Sequence, residues 1–324
     1  MTGPTLLTDI SYSEQLIYTG IIDSVYKNTN IFDGASSNAI RLTSNVRPGA
    51  YSKHNFWTNI PSAQRRDPNS TSSATAQKMT MDAMESVKLH RNIITEMFAE
   101  ALEYAIRSNS MEDYLEIMGQ TIGEGVVNDR VDNILRALVG AIESENDLVV
   151  DSSTEDIETS DLFEAAKVFG DAFGKISVII MHSVPYWKLV QDQYNNNVTN
   201  VADVAIYQGT PATLNRPIIV TDSDALTDDD GSPGTEYKTL LLTQNAATLN
   251  VTTPGDTLVA TEKVTGNDNI SYRVQAQWAE EVKVRGYKFD NGENPTDENL
   301  VDSSNWTKVF NQNKNTAGIM IKSQ

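Results

Sequence analysis

Apolar residues recur at every third or fourth position between Ser110 and Ile142, which is the longest helical pattern in the chain. The stripe consists of Leu115, Met118, Ile122, Val126, Val127, Val131, Ile134, Leu138 and Ile142. Ser110, three residues before Asp113, is typical of a capped helix start. The pattern therefore predicts one long amphipathic helix at about 110–144, which we call the spine helix.

Three glycines, Gly119, Gly123 and Gly125, interrupt the first half of this helix. Each glycine costs about 1 kcal/mol relative to alanine in a helix interior. We therefore expect either a bend or a second backbone very close to the helix. Gly119 and Gly123, together with Leu115, Met118 and Ile122, are the predicted packing residues of the spine.

Residues 45–91 predict a long hairpin-like loop. The segments 51–60 and 78–89 both alternate apolar with polar residues, and a polar run rich in Ser and Thr separates them. Alternation with a period of two predicts strands that bury one face, and the polar run between them predicts an exposed tip.

The remaining pattern predicts helices and strands in mixed order, an α+β chain. Residues 14–26 predict a weak helix in an N-terminal arm, and 93–106 a helix before the spine. The expected elements that follow are helices at 161–173 and 186–194, buried strands at 175–181 and 216–222, a strand at 237–242, a long pair of strands at 270–289 and a last strand at 318–321. We expect the sheet formed by the later strands to lie across the spine stripe.

The formal charge of −19 is unevenly distributed. The first hundred residues hold nine basic and nine acidic side chains, so the negative charge comes from the rest of the chain. Residues 41–91 hold eight basic and three acidic side chains. An acidic body argues against tight nucleic-acid binding, whereas a basic segment on such a body indicates docking onto another copy.

Candidate chemistry is sparse. The chain has no cysteine, which excludes disulfides and thiolate metal sites. His54, His90 and His182 lack metal-ligand spacing, and no phosphate loop, dinucleotide fingerprint or nucleophile elbow occurs. No apolar run is long enough to cross a membrane. We therefore predict no catalytic residues, no cofactor and no metal site.

Four stretches, taken in order, resemble the major capsid proteins of tailed bacteriophages of the Hong Kong 97 type (HK97-like fold). They are the loop return at 78–88, the spine segment, the pair 177–187 and 217–222, and the tail at 286–306. The resemblance implies an N-terminal arm (1–44), an extended E-loop (45–91), a peripheral domain (92–150 and 265–324) and an axial domain (151–264).

The implied function is structural: copies would form the hexamers and pentamers of an icosahedral virion shell around double-stranded DNA, without tight sequence-specific binding. Residues Arg65, Arg66, Lys53, Lys78 and Lys88 are the expected inter-subunit contacts of the E-loop. The short N-terminal region predicts a separate scaffolding protein and no large proteolytic maturation. A portal is a further expected partner, and the resemblance leaves room for a decoration or cement protein.

Two other functions are compatible with the sequence. An encapsulin-like protein nanocompartment would share the fold and enclose enzymes instead of DNA. An acidic α/β hydrolase would use paired carboxylates, which are too numerous here to indicate a site.

Overall fold

The fold is taken from a computed structural model of the chain. It describes residues 7–44, 53–57, 68–69, 81–98, 111–201, 204–207, 216–228, 235–251, 258–264 and 271–324. The start of the spine at Ser110 and the loop tip at Arg65 and Arg66 lie outside these ranges, as does Lys78.

The described chain contains helices and strands in mixed order. The helices are α1 (Leu7–Ala35), α2 (Met111–Glu143), which is the spine helix, α3 (Thr159–Phe169), α4 (Ser183–Asn197) and α5 (Asp297–Val301). The strands are β1 (Ile40–Ser44), β2 (Lys53–Trp57), β3 (Met81–Glu85), β4 (Val87–Phe98), β5 (Val149–Ser152), β6 (Ile176–Met181), β7 (Val198–Val201), β8 (Val204–Tyr207), β9 (Ile218–Val220), β10 (Thr227–Asp228), β11 (Glu236–Thr243), β12 (Ala247–Val251), β13 (Leu258–Val264), β14 (Ser271–Val284), β15 (Tyr287–Phe289), β16 (Trp306–Lys308) and β17 (Gly318–Ser323). None of these helices is long and apolar enough to cross a membrane.

A five-stranded sheet is built around β14. Strand β4 runs antiparallel along one side of β14, from Val87 opposite Val282 to Phe98 opposite Ser271. The other side of β14 is shared, because β13 pairs with its first half and β12 with its second. Strand β1 then adds parallel to β12. Alternate side chains of β14, Val274, Ala276 and Trp278, pack against α1 and the spine helix.

A six-stranded sheet has the order β5-β17-β11-β6-β9, with β10 paired to β11. All six residues of β6 are buried, as are six of the eight residues of β11. Such continuous apolar runs are typical of strands that are covered on both faces. One hydrophobic cluster includes strands of both sheets together with the second half of the spine helix.

Two predictions are wrong within the described residues. Residues 93–98 of the expected helix continue strand β4, and residues 99–106 of that helix lie outside the described ranges. The alternate residues Val87, Leu89 and Ile93 face the interior, and Arg91, which interrupts the apolar pattern, turns to the same side to reach charged partners. The region 270–289 is also not a pair of strands: β14 alone spans 271–284, and β15 pairs with β16 in a separate small sheet.

The two large sheets do not follow the boundaries of the peripheral and axial domains that the resemblance implies. Strands β12 and β13 lie within 151–264 but pair in the five-stranded sheet. Strand β17 lies within 265–324 but pairs between β5 and β11 in the six-stranded sheet. Strand β9 is only partly buried because it lies at the sheet edge. Within the region 1–44, the described residues 7–44 form α1 and β1, which contact the rest of the chain, so the weak helix expected at 14–26 is part of a 29-residue helix.

Candidate functional site

The first part of the spine helix meets α1 through glycine backbones. A Cβ built on Gly119 would lie 2.5 Å from the carbonyl oxygen of Ile17, and one on Gly20 would lie 2.8 Å from that of Glu116. A Cβ on Gly123 would lie 2.7 Å from Cβ of Ser24. At these separations a side chain has no room, so the two helices can cross this closely only because glycines meet there.

Apolar side chains beside the crossing of α1 and the spine helix pack against the five-stranded sheet. Ile17 and Ile21 of α1 and Ile122 and Val126 of the spine form one buried cluster with Trp278 and its neighbours on β14. Met118 is partly buried against this cluster. Leu115 lies in the helix, but its side chain is outside the described part. Gly125 differs from the other spine glycines, because its Cβ would meet only Ile93 Cδ1, at 3.6 Å.

A buried polar network follows, one helical turn later, and its centre is Glu280 of β14. The Glu280 carboxylate accepts hydrogen bonds from Arg130 Nε at 3.3 Å, Asn133 Nδ2 at 2.8 Å and Trp278 Nε1 at 3.3 Å. The side chain of Arg130 is 7% exposed and that of Glu280 is fully buried. A buried charge needs such partners, because each ion loses its hydration.

Arg91 of β4, at the end of the loop segment predicted at 45–91, extends the network. Its guanidinium donates to Asn133 and, at 2.5 Å, to Asp297 at the start of α5, and its Nε lies 3.5 Å from Asp129. Arg136 also reaches Asp297, at 3.4 Å. Three arginines thus face three carboxylates, and the network joins β4, the spine, β14 and α5.

Burial decides the direction of the pKa shift for Glu280, Asp129 and Arg130, whereas ionic partners decide it for Arg91. Burial raises the pKa of Glu280 above its ordinary value, against the opposing effects of Arg130 and Asn133. It also raises the pKa of Asp129, although Arg91 lies close by, and it lowers the pKa of Arg130. For Arg91, burial alone would lower the pKa, but the hydrogen bond and charge of Asp297 and the charge of Asp129 raise it.

The base of the hairpin-like loop predicted at 45–91 is a two-stranded antiparallel sheet. Strand β2 pairs with β3, with Lys53 opposite Glu85 and Trp57 opposite Met81, as the alternating pattern predicts. Lys88 follows on β4, opposite Glu281, and is partly exposed. Ser86 donates a hydrogen bond to Glu281, and the Asn294 side chain accepts one from the His90 N–H at 3.0 Å. Polar contacts therefore fasten the point where the loop rejoins the body.

The end of the spine is attached to the six-stranded sheet by a second set of ion pairs. Glu143 contacts Nζ of Lys238 at 3.1 Å and Nζ of Lys322 at 2.6 Å. Lys238 is almost fully buried and also reaches Asp228 at 2.9 Å. Lys322 pairs in addition with Glu236 at 3.1 Å. These contacts fix the end of the helix on β11 and β17.

The described residues contain little that resembles a reactive centre. Nδ1 of His182 accepts the Val184 N–H at 3.2 Å, and Nε2 lies 3.7 Å from Asp222. Both ring nitrogens are thereby directed at groups other than a nucleophile. Within the described ranges no cluster of three or more His, Asp or Glu side chains is arranged to hold a metal ion.

The sequence interpretation missed the polar network. The only signals for it are an arginine on the inner face of a strand pattern (Arg91), an arginine and an asparagine in the middle of an apolar helix (Arg130 and Asn133), and two adjacent glutamates in a long strand (Glu280 and Glu281). Charged side chains are seldom fully buried, so these residues do not by themselves indicate a buried network.

Comparison with known proteins gives one family. The family model described as "Gp13-like: Major capsid protein 13-like" matches residues 9–320. No curated protein matches the chain significantly.

Solved phage capsid structures share the fold at low sequence identity. A structure of Microbacterium phage Oxtober96 has 11% identity and a TM-score of 0.54, covering 90% of this chain and 91% of that one. The capsid of Ralstonia phage GP4 has 9% identity and a TM-score of 0.53, covering 88% and 86%. The capsid of Helicobacter pylori bacteriophage KHP30 has 12% identity and a TM-score of 0.52, covering 89% of each chain.

Proposed function

The chain belongs to the Major capsid protein 13-like family, and from that membership we propose that it is the coat protein of a tailed-phage virion. Its copies assemble into hexamers and pentamers of a closed shell around double-stranded DNA. The observation that carries this proposal is the family match across residues 9–320, which leaves few residues unmatched. The shared fold of phage capsid structures supports it.

Within the shell, the five-stranded sheet with the spine helix and α1 serves as the peripheral domain. The six-stranded sheet with α3 and α4 serves as the axial domain. The β2–β3 hairpin is the root of the E-loop, whose basic side chains contact a neighbouring copy. Among the predicted loop contacts, Arg65, Arg66, Lys53, Lys78 and Lys88, this proposal gives the main role to the two arginines.

The role is structural and not catalytic. The geometry at His182 offers no activated nucleophile, which argues against the hydrolase alternative. A separate scaffolding protein directs assembly, and a portal occupies one vertex. The net charge of −19 is compatible with a shell that encloses DNA without binding it tightly, because tight binding of nucleic acid needs many basic side chains.

The test is expression of the full chain with its scaffolding protein, followed by electron microscopy. We expect uniform closed particles. A purified protein that stays monomeric under assembly conditions would overturn the proposal. Particles that enclose an enzyme in place of DNA would favour the encapsulin-like alternative.

A further inference from the structure

The loop between β15 and α5 contains the one Asn-Gly dipeptide of the sequence, Asn291–Gly292. Asn291, Gly292 and Glu293 are all exposed. Among the residues that the structure describes, none forms a hydrogen bond or ion pair with these three. The φ of Gly292 is +69°, and a Cβ built on it would meet no described atom within 4 Å. The backbone around the dipeptide is therefore uncrowded.

The residues on both sides of this dipeptide are anchored. The Asp290 N–H donates to the Asn305 carbonyl at 2.8 Å, and the Asp290 carboxylate accepts the Thr307 hydroxyl at 2.6 Å. On the other side, Oδ1 of Asn294 accepts the His90 N–H of β4 at 3.0 Å. The exposed dipeptide thus lies in a short loop between two fixed points.

An asparagine followed by glycine can close a five-membered ring on itself. The backbone nitrogen of Gly292 attacks Cγ of Asn291 and gives up its proton, a C–N bond forms, and the side-chain amide nitrogen leaves as ammonia. Water then opens the cyclic imide at either of its carbonyls and leaves an aspartyl or an isoaspartyl residue. One water is consumed and one ammonia is released. Glycine favours the attack because no side chain restricts the backbone at the attacking nitrogen.

A second dipeptide that could close the same ring, by losing water, is held by the fold. Asp33–Gly34 lies at the end of α1, where Oδ1 of Asp33 accepts the Leu42 N–H at 3.1 Å. Gly34 is within the helix, in which each N–H donates to the carbonyl four residues earlier. The carboxyl and the attacking nitrogen are both engaged there, whereas at Asn291–Gly292 the described residues engage neither.

We propose that Asn291 is a modification site, at which the folded chain loses ammonia spontaneously through attack by the following backbone nitrogen. The product adds one negative charge to a loop that already carries Asp290 and Glu293. The isoaspartyl form also adds one carbon to the main chain between the two fixed points. This extra carbon displaces Asn294 from the His90 N–H and so loosens the contact between the loop and β4.

The reaction needs only water, so the site itself does not depend on the proposed function. One consequence does rest on that function. The coat proteins of a closed shell are not replaced, so the product accumulates as the particle ages.

Peptide mapping of the purified, folded chain after incubation at neutral and at mildly alkaline pH tests the site. Trypsin releases residues 289–308 as one peptide, which also contains three further asparagines. We expect conversion at Asn291 alone, and faster conversion at the higher pH because the attacking nitrogen must lose its proton. Asn294 is the internal control, since the residue after it is Pro295, which has no N–H.

Two comparisons make the mapping decisive. Asn291→Gln should lose the product, because glutamine would have to close a larger ring. Wild-type chain unfolded in urea gives the rate of the unrestrained sequence, and the folded chain should react at a similar rate. The proposal is wrong if Asn291 stays intact in the folded chain while the unfolded chain reacts, or if it reacts no faster than the other asparagines of the peptide.

Hydrogen exchange at the His90 amide tests the effect on the loop. The amide should exchange faster in aged wild-type chains that carry the isoaspartyl product than in Asn291→Gln chains aged in the same way. Equal exchange would overturn the displacement of Asn294. Both measurements use the folded subunit, so a failure to form shells would overturn the proposed function and leave the modification site standing.

Discussion

The first half of the spine helix, residues 116–129, leaves six of its fourteen residues exposed, whereas residues 130–142 include no exposed residue and ten that are buried. The first half contacts α1 through glycines and the five-stranded sheet through one apolar face. The second half is enclosed by the core that both sheets share, and ion pairs fasten its end. One continuous helix therefore has a surface half and a core half.

This difference indicates what each half does. A helix that is apolar on all sides belongs in a core, and a helix with one apolar face keeps the other for solvent or a partner. The first half holds Gly119 and Gly123 and keeps six side chains exposed, so it is the half that can still meet solvent or a partner. The second half is enclosed in the core, so we expect it to be the more stable part of the helix.

The largest expected effect is on the buried ion pair at the start of the core half. Arg130→Met removes the charged partner of Glu280 and should lower the free energy of unfolding by about 3–5 kcal/mol, because it leaves a buried carboxylate uncompensated. Urea-induced unfolding of the wild type and the variant measures this difference in the free energy of unfolding. The control is Arg130→Met with Glu280→Leu, which removes both charges and should recover most of the loss; an equal loss in the double variant would show that packing, not charge, is responsible.

A smaller effect is expected at the glycine crossing. Gly119→Ala should lower the free energy of unfolding by about 1–3 kcal/mol, because its Cβ has no room beside the Ile17 carbonyl and the helices must separate.

Gly123→Leu should overpack the same crossing and reduce the number of correctly formed shells while the subunit stays folded. Particle counts by electron microscopy test the second variant, and a normal yield would show that the crossing can widen without harm.

Gly125→Ala has the opposite sign and is the matched control for the crossing. Its Cβ makes only an ordinary contact, 3.6 Å from Ile93. Replacing glycine by alanine in a helix should then raise the free energy of unfolding by about 0.5–1 kcal/mol. A loss at this position in thermal or urea unfolding would mean that the surface half is packed more tightly than the structure shows.

The smallest effect is a pH dependence at Asp129, where the two halves meet. Burial raises the pKa of this carboxyl in the folded subunit. Its ionised form therefore disfavours folding above the raised pKa, and this cost disappears as the pH falls through that pKa toward the unfolded value. Asp129→Asn should thus compare more favourably with wild type at pH 7 than at pH 3.5 in thermal unfolding.

Glu96 is a control of opposite sign. Hydrogen bonds from Ser271 and Arg273 lower its pKa, so its contribution is present at neutral pH and is lost in acid. Glu96→Gln should compare less favourably with wild type at pH 7 than at low pH. The same sign for both variants would contradict the assignment of burial as the dominant effect at Asp129.

Much of the architecture follows from local pattern. The helix expected at about 110–144 spans Met111–Glu143, and the apolar run at 175–181 is the buried strand β6. The glycines predicted either a bend or a close backbone. The structure shows the close backbone, which α1 supplies at Gly119 and Gly123. The hairpin base at β2 and β3 follows from simple alternation.

Other parts depended on contacts distant in sequence. The single stripe through Ile134, Leu138 and Ile142 misses Leu135 and Val139, which are buried because both sheets surround that half of the helix. Arg91 stands among the apolar inner residues of β4, and Glu280 and Glu281 are adjacent charged residues within β14. All three side chains are buried or partly buried because residues of other elements form hydrogen bonds or ion pairs with them. These partners are distant in sequence, so a local sequence pattern does not show them.

Native-state hydrogen exchange along the spine helix tests the division into two halves most directly. We predict that the amides of 131–142 exchange only through global unfolding, whereas those of 116–128 exchange through a smaller opening of lower free energy in which α1 separates from the spine. Gly119→Ala should accelerate exchange in 116–128 and leave the difference between 131–142 and global stability unchanged. Uniform protection along the whole helix, in wild type and variant alike, would contradict the account.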